Sequence, residues 1–147
     1  MAEYTLRPAV EAEAAAIQEL IHLVGINPTG LDWRRFLVAV TPEGRIIGCG
    51  QLKPHGRDLL ELASIAVLPE HRGEGIARAV IEHLLTGSPR PLYLTCVSRL
   101  EPFYERFGFR AIEYDQMPRY FQRLSKLAGL VFTLSKRGET LSVMKLK

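Results

Sequence analysis

Residues 61–85, ELASIAVLPEHRGEGIARAVIEHLL, constrain this chain more than any other stretch. Residues 59–68 are almost continuously apolar, the pattern of a strand buried on both faces. Pro69 closes the strand, since proline has no N–H for the next ladder bond. A turn follows, Glu70-His71-Arg72-Gly73-Glu74-Gly75. Then Ile76, Ala77, Val80, Ile81, Leu84 and Leu85 recur at helical spacing and define one apolar face. The free N–H groups of a helix start therefore lie beside two glycines, where a backbone can approach a ligand closely. Such a turn attracts phosphate oxygens, and Arg72 adds a forked cation.

Two phosphate motifs are excluded. A Walker loop needs Lys-Ser/Thr after its last glycine, and here Ile76-Ala77 follows Gly75. A dinucleotide fingerprint needs a third glycine where Arg78 stands and an acidic residue near Thr95-Cys96-Val97-Ser98. What remains is Arg72-x-x-Gly75-x-Ala77.

The chain has 147 residues, enough for one domain with a real core. No apolar run reaches the length of a membrane span. The first residues lack the basic and apolar regions of a secretory signal. Cys49 and Cys96 show no metal spacing and read as reduced core thiols of a cytoplasmic protein. His22, His55, His71 and His83 show no metal spacing either, so no metal is expected. His71 borders the turn and is read as facing solvent, as is His83 on its helix. The net charge of +3 suits an anionic small ligand, but the basic residues are scattered, so no nucleic-acid or membrane partner is expected.

In chain order, residues 4–7 read as a strand ended by Pro8. Residues 10–24 read as a helix stopped by Gly25, with Val10 a poor N-cap. Residues 25–32 form a loop, followed by Trp33 and Phe36, which either line a pocket or plug the core. Residues 36–40 and 45–52 read as a hairpin, and 53–58 as the turn into the central strand. After the helix from Gly75 come a strand at 91–97, a short helix with Leu100, Phe103, Tyr104 and Phe107 on one face, and Gly108 as its left-handed stop. Residues 109–114 read as a sixth strand and 117–127 as a helix. Residues 141–147 read as a last strand, with 130–134 as its hairpin partner across 135–139. The class is α+β, a mixed central sheet flanked by helices in β-α-β-β-β-α-β-α-β order.

Arg72-x-x-Gly75-x-Ala77 after its strand resembles the pyrophosphate-binding signature of the GCN5-related N-acetyltransferase (GNAT) superfamily. Phe103-Tyr104-Glu105-Arg106-Phe107-Gly108-Phe109 resembles that family's second signature, and Tyr4 to Pro8 its opening strand. The resemblance spans residues 4–114, leaving 115–147 as a C-terminal helix and strand extension of a single domain, 1–147. Family members often carry Asn near the end of the fifth strand, where the nearest polar group here is Ser98.

The resemblance implies acetyl transfer from acetyl-CoA to a primary amine. The pantetheine arm is expected along the backbone of Ile65, Ala66 and Val67. The pyrophosphate is expected on Arg72, Gly73, Glu74, Gly75, Ile76 and Ala77. Glu61 is the candidate base, against a structural glutamate that reaches solvent. Tyr104 is the candidate acid toward the leaving thiolate, against a plain core tyrosine. Cys96 as a nucleophile has no base near it in sequence, which favours an inert thiol. The acceptor is expected to be a small molecule such as an amino acid. A protein or peptide acceptor, a non-catalytic acyl-CoA-binding module and a homodimer stay open alternatives.

Overall fold

A computed structural model describes residues 2–134 and 139–147. The chain divides into two compact units, Met1–Lys53 with Leu62–Ser88, and Pro54–Glu61 with Pro89–Lys147. The strands are β1 (Thr5–Pro8), β2 (Phe36–Val40), β3 (Ile46–His55), β4 (Leu59–Val67), β5 (Leu92–Val97), β6 (Arg110–Ala111) and β7 (Leu141–Leu146). The helices are α1 (Ala14–Val24), α2 (Ile76–Leu85), α3 (Glu101–Glu105) and α4 (Arg119–Leu134). The ladder order is β1-β2-β3-β4-β5-β7-β6. This is the expected mixed, helix-flanked sheet. It is mostly antiparallel, with β4 and β5 parallel at Glu61↔Tyr93.

In the first unit, the 10–24 helix begins as a 3-10 turn at Glu11–Glu13 before α1. Val10 is indeed no cap, but Glu13 compensates. Its Oε1 accepts the Val10 N–H at 2.9 Å, one half of a capping box. The same carboxylate takes both Arg7 terminal nitrogens at 2.8 Å, fastening β1 to the helix start. Gly25 ends α1 at φ 79°, as its position predicts.

The core of this unit joins Ile17 and Ile21 of α1, Val38 of β2, Ile47 and Cys49 of β3, and Ile76 and Val80 of α2. Here β3 contributes Gly48-Cys49-Gly50. A Cβ at Gly48 would lie 2.6 Å from Ile76 Cγ2, and one at Gly50 2.6 Å from Ile65 Cδ1 and 2.8 Å from Val80 Cγ1. The two missing side chains let α2 pack directly on the strand.

β3 outlasts the expected strand. Lys53, Pro54 and His55 belong to it, and the turn is only 56–58. Phe36↔Gln51 is the last position paired with β2. Pro54 therefore lacks a donor where β2 offers no acceptor, so it breaks nothing on that side.

In the second unit β7 pairs with β5 from Leu92↔Leu146 to Val97↔Leu141, and with β6 on its other side. Tyr93, Phe121 and Val143 form the centre of its core, with Leu59, Ile112, Met117, Tyr120 and Leu124 around them. Two expectations are corrected. The strand at 109–114 shrinks to Arg110–Ala111, because Glu113 and Gln116 bond reciprocally and start a 3-10 turn at Tyr114–Gln116. Residues 130–134 are the end of α4, not a strand. A short apolar run fits either element by periodicity, and the helix from Arg119 carries it along. The expected turn through 135–138 lies outside the described residues.

Replacing Gly48 with Val should lower stability by about 2 kcal/mol through overpacking against Ile76. Urea unfolding should show the loss as a lower midpoint at unchanged slope.

Candidate active site

The first unit holds the expected cofactor-binding residues. After β4, a 3-10 turn at Pro69–His71 leads to Arg72, then to Gly73 at φ 82° and Gly75 at φ 81°. Both are left-handed, a conformation that side chains with a Cβ resist. Nothing lies within 4 Å of where a Cβ would stand at either glycine. The space over this backbone is open. The N–H of Ala79 is the first to reach a carbonyl, that of Gly75 at 3.0 Å. The N–H groups of Ile76, Ala77 and Arg78 are thus the orphans of the helix start, at the positive end of its dipole. Arg72 is exposed, and among the described residues its guanidinium has no carboxylate partner.

Glu74 is engaged inward. Its carboxylate accepts the Ala2 N–H at 2.9 Å and contacts His71 Nδ1 at 3.1 Å. The Ala2 hydrogen bond, then His71, hold its pKa below the usual carboxylate range. His71 is partly buried by this contact, which corrects its reading as solvent-facing; His83 is exposed as expected.

Ile65, Ala66 and Val67 follow a feature the sequence did not reveal. Ser64 sits at φ 60°, left-handed inside a strand. For a residue other than glycine this is uncommon and costs about 1–2 kcal/mol. A network centred on the buried Gln51 holds it. Gln51 Nε2 donates to Ser64 Oγ at 2.8 Å and to the Gly30 carbonyl at 3.2 Å, while Arg35 Nε donates to Gln51 Oε1 at 3.3 Å. Lys53 Nζ donates to the Thr29 carbonyl at 3.1 Å. The loop before Trp33 is therefore moored on β3. Trp33 packs against the core of this unit, which favours the plug over the pocket lining. A groove of about 520 Å³ lies beside α1, lined by Ala15, Gln18, Glu19, His22, Pro28 and Leu31. None of the expected site residues lines it.

The second unit holds Glu61 and Tyr104. Glu61 is buried at 7% exposure, and the partner it needs there is His55, whose Nε2 is 2.6 Å from Glu61 Oε1. His55 stacks on Tyr120 at 3.8 Å between centroids and meets the edge of Phe121. Burial, then the Glu61 charge, raises the Tyr120 phenol. Sequence reasoning missed His55 because it placed the residue in a turn.

Tyr104 packs edge-on against Phe103 and Phe109. Burial, with a smaller contribution from Cys96, pushes its phenol up to about 12. Its hydroxyl has no hydrogen-bond partner among the described residues, yet no enclosed side-chain N or O is left unpaired, so the hydroxyl reaches open space. Cys96 is pushed up to about 11 by burial and by Glu101, and its Sγ lies 3.9 Å from Met144 Sδ. Burial takes Cys49 to about 12. Both thiols stay protonated, as inert core residues do. Ser142 Oγ donates to the Glu101 carboxylate.

Residues 32–111, more than half of the chain, match the family profile described as Acetyltransferase (GNAT) domain. The chain belongs to the GNAT acetyltransferase family. Over 101 residues it is 38% identical to the amino-acid acetyltransferase of Mycobacterium tuberculosis, covering 60% of this chain and 58% of that protein. It spans less than three fifths of the length of the curated relatives it matches. The crystal structure of Rv2747 from Mycobacterium tuberculosis in complex with CoA and NLQ superposes with a TM-score of 0.72 at 26% identity, covering 97% of this chain and 98% of that one. N-acetylglutamate synthase from Neisseria gonorrhoeae, complexed with coenzyme A and N-acetyl-glutamate, shares the fold at 17% identity and a TM-score of 0.71, over all of this chain and 36% of that one. No helix among the described residues is long and apolar enough to cross a membrane.

Cys49, Cys96 and Tyr104 all bind their protons more tightly folded than unfolded. The unfolded chain releases these protons first as pH rises, so stability should fall from about pH 9 upward. Thermal melts between pH 8 and 11 check this. A melting temperature that stays level across that span contradicts the assignment.

Proposed function

We propose that residues 1–147 act as one acetyltransferase domain, with 115–147 as its extension, moving an acetyl group from acetyl-CoA to the primary amine of a small molecule, an amino acid first among them. The observation that carries this reading is the turn from Arg72 to Ala77. Two left-handed glycines with open space above them, three orphan N–H groups and an exposed arginine converge on one stretch of backbone. This suits a diphosphate. The similar proteins, an amino-acid acetyltransferase and a structure in complex with CoA, support the acceptor class and the donor.

Acetyl-CoA supplies a thioester carbonyl open to attack by an amine. Arg72 and the N–H groups of Gly73 through Ala77 bind the diphosphate, the role of Glu74 being that of its backbone alone. The main chain of Ile65, Ala66 and Val67 pairs with the pantetheine arm as an added strand does, and the Val67 N–H faces the carbonyl oxygen. Glu61 provides the negative charge that draws a proton from an ammonium substrate. Tyr104 donates a hydrogen bond to the leaving sulfur. With its phenol near 12 and a thiol ordinarily near 8.5, it stabilises the thiolate without surrendering its proton.

The deciding experiment incubates the protein with acetyl-CoA and a panel of amino acids, small amines and peptides, and follows free thiol. Release with an amino acid is expected; release only with peptides would move the acceptor class to protein. Acetyl-CoA should raise the melting temperature by linkage, and Gly75→Val should remove that rise relative to the variant's own unliganded melt. Tyr104→Phe should lower kcat about tenfold or more with little change in the KM for acetyl-CoA. An unchanged kcat in a chemistry-limited assay returns Tyr104 to the core.

A further inference from the structure

We infer that the group taking the proton from the amine is the His55 imidazole, with Glu61 acting through it as a positioning residue; this deepens the acetyl-transfer reading and rests on it. Glu61 Oε1 lies 2.6 Å from His55 Nε2. An ionised carboxylate only accepts hydrogen bonds, so Nε2 carries the ring proton and Nδ1 keeps its lone pair. Among the described residues nothing hydrogen-bonds to Nδ1. Among the described residues no enclosed side-chain nitrogen or oxygen lacks a partner, so the unpaired Nδ1 is not sealed from solvent. The His55 side chain is 14% exposed and that of Glu61 9%, so the ring is the more accessible member of the pair.

The ring is also held in place. Tyr120 stacks on one face at 3.8 Å with an interplanar angle of 23°, and Phe121 closes an edge at 6.1 Å and 80°. Both come from consecutive positions of α4. A carboxylate that fixes the tautomer and orientation of an imidazole, leaving its other nitrogen free, is the arrangement by which an imidazole becomes an effective base. The groups of ionisable or charged character around it are Glu61 from β4 and the Tyr120 phenol from α4, with Tyr93 opposite Glu61 and Lys145 over the Tyr93 ring at 5.7 Å.

The proton count closes. Nδ1 takes one proton from the ammonium substrate and frees the nitrogen lone pair. That pair bonds to the acyl carbon, and the C–S bond gives its electrons to sulfur. The second amine proton ends on sulfur, and His55 returns its own to water.

The test is chemical rescue. His55→Ala should lower kcat/KM for the amine by about a hundredfold or more, with acetyl-CoA still raising the melting temperature. Added imidazole should restore activity, and a series of substituted imidazoles should restore more as their basicity rises. His55→Gln should be as slow as His55→Ala although it can still hydrogen-bond Glu61. Nitrogen-15 spectra of the labelled wild-type chain at neutral pH should show Nε2 protonated and Nδ1 bare, a readout that survives if either variant fails to fold. Activity within tenfold of wild type in His55→Ala, a loss that no azole restores in a folded variant, or a proton on Nδ1 overturns the inference. Wild-type protein that releases no thiol with any amine overturns the acetyl-transfer reading itself, an outcome distinct from an active wild type and an unaffected variant.

Discussion

The contact on which the first unit depends is one made by absent atoms. Gly48 and Gly50 leave two gaps on β3, and Ile76, Val80 and Ile65 fill them. Ile76 is also the first residue of α2. The same side chain that locks the helix onto the strand therefore fixes where the helix begins. The orphan N–H groups, the two left-handed glycines and Arg72 inherit their position from that packing. A core contact and the glycine turn are separated by a single peptide bond, so a repacking of one displaces the other.

β4 carries a second dependence. Its middle is bent at Ser64, and the bend is held by Gln51, a fully buried amide that also ties down Gly30. Consecutive residues Ala63, Ser64 and Ile65 are all half-buried, so the strict alternation of a strand lapses there. Backbone strain of this kind persists only where surrounding structure overdetermines it. Here its centre, Gln51, is buried and paired through both its amide nitrogen and its amide oxygen, the condition under which a polar group rigidifies its neighbours.

What the sequence displayed and what it hid follow a physical line. The strand, turn and helix of residues 59–85 were legible because apolar period, Pro69 and two glycines agree with one another. The stops at Gly25 and Gly108 were legible for the same reason, and both are left-handed. The α4 boundary was not, since residues 130–134 are apolar in a way that suits strand or helix. His55 was hidden by Pro54, which marks a break when β3 is assumed to keep a partner on each side. The register with β2 ends at Gln51. The partner of Glu61 thus lay six residues away, concealed by a rule that holds for interior strands only. Ser64 left no trace, because serine has no bias toward the conformation it adopts; the buried Gln51 that sustains it reads as an ordinary polar residue.

Pro54 has a further consequence, for how this protein meets other copies of itself. Residues 52–55 run on past the end of β2, and a bare strand margin is a template onto which a second chain can add by main-chain hydrogen bonding. Proline offers no donor to such a visitor. The segment that projects far enough to bring His55 to Glu61 thus carries, one residue earlier, the residue that makes it a poor template for a foreign strand.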